Sequence, residues 1–370
     1  MGLNVFSHWA TDPLVRPVMG GEITRESLGV CDPMRLCRLY PAIEYSNRFV
    51  AGMRKSPDGT YRMDATMIDG LGNGFRSSKC RGTLNIGRCV FENTDISGAR
   101  AALEGYDALL VATRWNAQLL ENATGRAVKV IYEGVDPSLF CPGPKSGLLP
   151  ADKFHIFTGG KIEFRKAQDL VLLAFRRFHE KRSDSVLVTA WHSPWPRLSV
   201  GFQGRLPVPL EQRPDGLLDI GLWVARNGLD PASVIDLGFV PNALMPMVLR
   251  EMDVSLQPSR AEAGTNFPVK EAMACGVPVI AAVNTGMKDL LTDENCIALK
   301  KQTQIDDQDG SMHGWGESDV DEIVAALEFA YERRDEARQI GIRSREWLIE
   351  HGRTWQSHAN ELKGWILSIR

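Results

Sequence analysis

Along most of the chain, apolar runs of strand length alternate with amphipathic stretches of helical length. This is the pattern of α/β units built around parallel sheets. In the first half it predicts strands at "LNVFSH", "RCVFEN", "DALLVAT" and "KVIYEG", with helices near residues 22 to 30, 97 to 105 and 115 to 123. Residues 31 to 86 are rich in Gly, Arg and polar side chains and yield no strand order. The segment "VDPSLFCPGPKSGLLPADK" then breaks the periodicity with four prolines and two glycines, as a linker between domains does. After it the rhythm restarts: the strand "KFHIFTGG", the helix "QDLVLLAFRRFHEK", the strands "SVLVTAW" and "VIDLGFV", the helix "NALMPMVLREM" and the strands "VSLQPS" and "VPVIAA". The C-terminal stretch reads as helix. The expected organisation is two α/β domains, residues 1–144 and 145–350, with a helix over 351–370 packing back on the first.

Composition narrows the class without changing that picture. The 370 residues are 44% hydrophobic and 24% charged, as in a soluble globular protein. A formal net charge of -3 supplies no global basic field for nucleic acid. Seven cysteines without a CxxC pair point to reduced thiols and a cytoplasmic protein, peripheral to the inner membrane face at most. Cys31, Cys37, Cys80 and Cys89 are spaced too irregularly for a metal site and suit packing better. No run approaches the ~20 apolar residues of a membrane span, and "MGLNVFSHWATDP" reads as a first strand and turn rather than a signal peptide.

Two stretches carry chemistry. In "FTGGKIEFRKAQDL" the paired Gly159 and Gly160 let backbone approach a ligand, and Lys161, Arg165 and Lys166 cluster where the next helix begins, an arrangement for phosphate. It matches neither GxGxxG nor the Walker motif. In "VSLQPSRAEAGTNFPVKEAMACGVPVIAA" a turn between strand and helix leaves the N–H groups of Gly264, Thr265 and Asn266 pointing outward, with Phe267 opening the helix. Both stretches follow strands of one parallel sheet, so they should meet at a crevice beyond the strands' carboxyl ends. Two phosphate-directed turns facing each other suit a diphosphate. Glu271, one to two turns into the helix, can accept hydrogen bonds from a ribose diol, and Glu262 can contact a sugar or orient a basic residue. Either Glu alone is equally well explained by the helix dipole; with the lysines they point to a ligand.

These residues resemble the donor domain of family 4 retaining glycosyltransferases, enzymes of the two-domain GT-B fold. In that pattern Lys161 stands at the family's Arg, Lys166 at its Lys and Ala167 at its Gly, while Glu271 with "AMACGVPVI" is a close match. Eight residues rather than seven separate Glu262 from Glu271, and the extra one falls within "AGTN". More weakly, "DALLVATRWNAQLLENATGRAVKVIYEGVDPSLFCP" and "RCVFENTDI" resemble parts of the acceptor domain, and "MGGEITRESL" its glycine loop.

The resemblance implies two Rossmann-like domains facing a central cleft, C-terminal helices crossing back, and transfer from a nucleotide sugar, UDP- or GDP-linked, with retention. Lys161, Lys166 and the amides of residues 264 to 266 would stabilise the departing diphosphate in place of a metal. Glu92 is the candidate carboxylate nucleophile on the acceptor side, with Asp95 beside it, and His8 a candidate base or sugar contact. Gly20, Gly21 and Asn93 complete the acceptor side. "DDQD" at residues 306 to 309 reads as solvated surface. The acceptor is a glycan, a lipid or another hydroxyl compound. Three alternatives stay open: a transferase acting on a modified base of nucleic acid, a catalytically idle nucleotide-sugar-binding protein, which the Glu–Glu spacing favours, and a phosphate-binding regulatory protein unrelated to sugars. The run "GFRSSKCRGTLNIGR" carries basic residues and no acidic ones, and reads either as a solvated loop or as a cleft for an anionic acceptor. A polyanion held there would make activity fall steeply with added salt; a flat salt profile sinks that reading.

Overall fold

The structure is a computed structural model that describes residues 44, 48, 51, 52, 55, 61, 62, 64–77, 80–193 and 195–370. The first predicted strand, the helix near residues 22 to 30, and His8, Gly20 and Gly21 lie outside the described residues.

The chain divides into two compact units. One takes in the chain up to Gly134, Pro241–Ala243 and Trp355–Arg370; the other is Val135–Val240 with Leu244–Thr354. In the first, strands β1 (Thr66–Leu71), β2 (Leu84–Cys89), β3 (Ala108–Val111) and β4 (Val128–Val130) form a parallel sheet in that order. The register Ile68↔Ile86↔Ala108 places Ile86 with Leu110 and Ile131 on the face that Leu362 of the last helix covers. Helices α1 (Ala99–Leu103) and α2 (Arg114–Thr124) cover the other, around Leu103, Leu109 and Leu120. Thr113 caps α2, its hydroxyl accepting from the Asn116 N–H, and Gly125 ends it in the left-handed region.

The predicted strand "RCVFEN" is displaced. The ladder runs over Leu84–Cys89, four residues earlier. Phe91 is apolar and buried, yet it packs against Phe75 (ring centroids 5.1 Å apart), and the N–H groups of Glu92 and Asn93 donate to the Asn73 side chain at 2.9 and 3.1 Å. Side chains can bury in a loop as well as in a sheet, and periodicity does not tell the two apart.

The second unit holds a six-stranded parallel sheet of β5 (Phe154–Gly159), β6 (Ser185–Ala190), β7 (Val234–Asp236), β8 (Val254–Gln257), β9 (Val279–Ala282) and β10 (Ile297–Leu299), in the spatial order β10-β9-β8-β5-β6-β7. Every residue of β5, β8 and β9 is buried, which explains why these strands read as continuous apolar runs rather than alternating ones. Helix α3 (Gln168–His179) turns Leu170, Val171, Ala174, Phe175 and Phe178 inward, one face at helical spacing. Helices α4 (Ile220–Arg226), α5 (Met245–Glu251), α6 (Phe267–Ala274), α7 (Val320–Glu332) and α8 (Arg334–Glu350) complete the unit, with a hairpin of Gln302–Gln304 and Gly316–Ser318. Strand β1, helix α4, strand β10 and this hairpin were not legible in the sequence patterning.

After α8 the chain bends at Gly352 (φ +61°) into α9 (Trp355–Ile369), which belongs to the first unit. There the His358 ring bonds the Tyr132 carbonyl at 2.8 Å, and Lys129 pairs with Glu361 at 2.7 Å. Among the described residues no helix is long and apolar enough to cross a membrane. Cys89, Cys275 and Cys296 are buried and burial pushes each thiol up to about 12, in keeping with packing roles.

Helix α8 approaches the turn after α6 so closely that a Cβ on Gly341 would lie 2.3 Å from the Gly276 carbonyl oxygen and 2.8 Å from the Pro278 nitrogen. Neither backbone atom can yield like a flexible side chain. Gly341→Ala is therefore expected to destabilise the protein by about 1–3 kcal/mol in urea denaturation, and an unchanged midpoint would contradict this packing.

Candidate functional site

The strand order sets where a ligand can sit. The order in which parallel strands are added reverses between β5 and β8, which pair directly, so the crossover connections diverge from that point and leave a crevice beyond the carboxyl ends of those strands. The loops leaving β5 and β8 are the two stretches that carry candidate chemistry. Gln257 at the end of β8 stitches them together: its side-chain amide donates to the Gly159 carbonyl at 3.2 Å and accepts from the Gly159 N–H at 3.0 Å. Gly160 has φ +109°, open to glycine and strained for other residues. A Cβ there would lie 3.7 Å from the Lys166 side chain and 4.0 Å from Pro268, so both loops border the same backbone.

Glu262 is the centre of the site. Its buried carboxylate accepts from Lys166 Nζ at 2.7 Å, from Arg165 Nη1 at 2.6 Å and from Asn266 Nδ2 at 2.7 Å. Its N–H donates to Thr285 Oγ1 at 2.8 Å, and its carbonyl accepts from the Gly286 N–H at 3.0 Å. Arg165 also donates to the Ala261 carbonyl and to the Glu163 carboxylate. Burial alone would raise the Glu262 pKa; Lys166 and then Arg165 outweigh it and hold the carboxyl at about 2. Burial draws the Lys166 pKa downward, and Glu262 opposes that. Glu262 thus holds two basic side chains in place.

Behind this cluster lies a second one that the sequence did not reveal. Arg260, fully buried, donates to both oxygens of Asp169 at 2.9 and 2.7 Å and to Glu317 at 2.9 Å, and lies over the Phe164 ring at 4.0 Å. Its N–H donates to the Arg165 carbonyl at 2.7 Å, which pins the basic turn to the β8 loop. Asp169 and Glu317 are 91 and 57 residues away from Arg260 in the chain, and no local pattern marks such pairings.

Asn266 caps α6, its Oδ1 accepting from the Val269 N–H, with Pro268 in the first turn where a missing N–H costs nothing. The N–H groups of Gly264, Thr265 and Asn266 make no hydrogen bond to the described residues. The Thr265 hydroxyl is buried and equally unpartnered among them. Buried donors are rarely left so, which suits a loop that receives ligand acceptors. Phe267 lies against the Lys270 ammonium at 4.2 Å, and Glu271 is half-buried on α6. Lys161 is more open, 3.5 Å from Glu163 and 5.2 Å from the centre of the exposed Trp195 ring.

In the first unit, Glu92 and Asn93 follow the carboxyl end of β2, tied to Asn73, and the Asp95 N–H donates to the Asn93 side chain at 2.8 Å. Of the basic run, Arg88 pairs with Glu133 at 2.8 Å, and Arg81 donates to the Cys80 carbonyl and stacks on Tyr106. No group of three metal-ligating side chains occurs among the described residues.

Comparison with known proteins gives this geometry a context. Residues 153–309 match the family model described as Glycosyl transferases group 1. The D-inositol 3-phosphate glycosyltransferase of Saccharomonospora viridis is 29% identical over 216 residues, 54% of this chain and 45% of the relative. One from Catenulispora acidiphila is 28% identical over 205 residues, 52% of this chain and 45% of the relative. The chain thus matches about half the length of these relatives. Among solved structures, sucrose-phosphate synthase from Thermosynechococcus elongatus superposes with a TM-score of 0.63 at 16% identity, covering 95% of this chain and 82% of that one. Anabaena HepE, solved with UDP and glucose, gives 0.59 at 16% identity, covering 77% and 72%.

Removing Glu262 would leave the buried Lys166 without its ion-pair partner and Arg165 with Glu163 alone, so Glu262→Gln is expected to cost about 3–5 kcal/mol near neutral pH. A carboxyl held at about 2, against an ordinary 4.5, contributes stability that is fully present above pH 4.5 and is lost as pH falls toward 2. The gap between parent and variant in chemical denaturation should therefore narrow with acid; a gap constant with pH would contradict the pairing.

Proposed function

We propose, from the group 1 glycosyl transferase domain that residues 153–309 form and the GT-B fold of the chain, that this protein moves a sugar from a nucleotide diphosphate sugar to an acceptor hydroxyl, with retention of configuration and without a metal. The observation that carries the reading is the meeting, at the reversal point of one sheet, of a Glu262-oriented Lys166 and Arg165 with the open N–H groups of residues 264 to 266. A departing diphosphate develops negative charge, and fixed cations and amides aimed at that charge stabilise it without reorganising. Lys161, more open than Lys166, adds a further cation. Glu271 on α6 is assigned to the ribose diol and Phe267 to the wall of the donor crevice. The uridine base is favoured because HepE, of like fold, holds UDP.

Retention requires that the acceptor approach the face the diphosphate leaves, or that a carboxylate intervene. On the first unit, Glu92 and Asn93 are assigned to the acceptor side, with Glu92 the carboxylate available for the second route. The nine-residue step from Glu262 to Glu271 lengthens the loop without displacing Glu262 from its lysine, so the spacing no longer favours an idle binding protein.

The test is release of free UDP from a panel of UDP-sugars, with acceptor pools supplied, by the parent, Lys166→Ala and Glu271→Ala proteins. Lys166→Ala should lower release about 100-fold, the worth of one transition-state donor at about 3 kcal/mol, and Glu271→Ala should weaken donor binding. Equal release by parent and Lys166→Ala would overturn the reading.

A further inference from the structure

The second unit has a second basic concavity, at the other edge of its sheet. It opens near Phe154, Asp253 and Pro278, which begin or precede β5, β8 and β9, whereas the donor crevice lies past Gly159 and Gln257 at the opposite strand ends. Its volume is about 390 Å³, at the small end of ligand pockets. Arg250, Arg334, Arg338, Arg345 and Lys145 line it, against only two carboxylates, Asp253 and Glu346.

Most of this charge is not answered by carboxylates among the described residues. Lys145 pairs with Asp253 at 3.2 Å, and Arg338 with the exposed Asp335 at 3.0 Å. Among the described residues, none of Arg250, Arg334 and Arg345 has a carboxylate within ion-pair distance. Two of the three are held in place by neutral groups. Arg250 donates through Nε to the Cys141 carbonyl at 2.9 Å, with Nη2 3.2 Å from the Cys141 sulfur. Arg334 donates to the Tyr331 carbonyl at 3.3 Å and stacks on Phe154 and Tyr331 at 5.1 and 4.9 Å. Arg345 Nε is buried and has no hydrogen-bond partner. Arg334, Arg338 and Arg345 recur at four- and seven-residue steps along α8, which places them on one helix face.

Positioned guanidiniums that repel one another, retain unused N–H donors and surround a cavity form a receptor for a multiply charged oxyanion. The planar fork of Arg matches phosphate oxygens two at a time. A solvated surface cluster would instead have mobile arginines, each near a carboxylate of its own. We propose that this pocket binds a small phosphorylated ligand, a diphosphate or a phosphate ester, at a site separate from the donor crevice.

The experiment is isothermal titration of the full chain with inorganic pyrophosphate, in parent, Arg250→Gln/Arg345→Gln and Glu346→Gln proteins. Any binding at the donor crevice is common to all three, so the differences report the pocket. The double variant should bind about tenfold more weakly, since two charge-assisted contacts are lost. Glu346→Gln, which removes an exposed carboxylate and leaves the core untouched, should bind about threefold more tightly. Superimposable isotherms for the three proteins, or no pyrophosphate binding by the parent, would overturn the proposal. Flotation with phosphatidylcholine vesicles, with and without phosphatidic acid, assigns the source. Retention on the acidic vesicles that the double variant loses identifies a lipid headgroup, and pyrophosphate binding without retention identifies a soluble phosphate.

Discussion

The proposed donor site depends on one buried carboxylate. Glu262 lies in the loop after β8, while Arg165 and Lys166 lie in the loop after β5, and no sequence contact joins them. Two cations this buried would repel each other and lose their hydration unless a counter-charge met both. Glu262 meets them with one oxygen each, and its first oxygen also receives Asn266, which caps α6. The same carboxylate that pairs with both cations therefore fixes the start of the helix that follows the open amides.

That carboxylate is held in turn. Arg260, two residues upstream, is clamped by Asp169 at the head of α3 and by Glu317 on the hairpin, and Thr285 after β9 accepts the Glu262 N–H. Four loops at the carboxyl edge of one sheet are tied by side chains and by single backbone hydrogen bonds. Rigid positioning of this kind suits a site whose task is to meet charge as it develops. Because the cations are engaged before any ligand arrives, their geometry does not depend on the ligand to arrange it.

The opposite edge of the same sheet shows the contrast. There the guanidiniums of Arg250 and Arg334 rest on carbonyls, sulfur and aromatic rings, and Arg345 Nε on nothing polar. At the carboxyl edge, cations meet buried carboxylates and amides are left open; at the far edge, cations are left in excess. The first arrangement follows from where strand ends deliver their loops, the second from the helices packed at the other ends of the strands, and the sheet keeps the two apart.

Much of this was legible in the chain. Buried parallel strands produce continuous apolar runs, so β5, β8 and β9 and the helices α3 and α6 were readable, as were the glycine turn, the basic cluster and the capped "AGTN" loop, each a local consequence of residue type. What local pattern cannot contain is pairing at a distance. The displacement of β2, the short strand β10, the hairpin at Gly316–Ser318 and the Arg260–Asp169–Glu317 cluster arise from contacts between segments far apart in sequence. The sequence determined which residues could bind a diphosphate; the spatial order of six strands decided that Glu262 would face Lys166 and that five basic residues, dispersed between Lys145 and Arg345, would converge on the other edge. Strand order is set by how the whole hydrophobic core closes, and no single stretch of the chain carries that information.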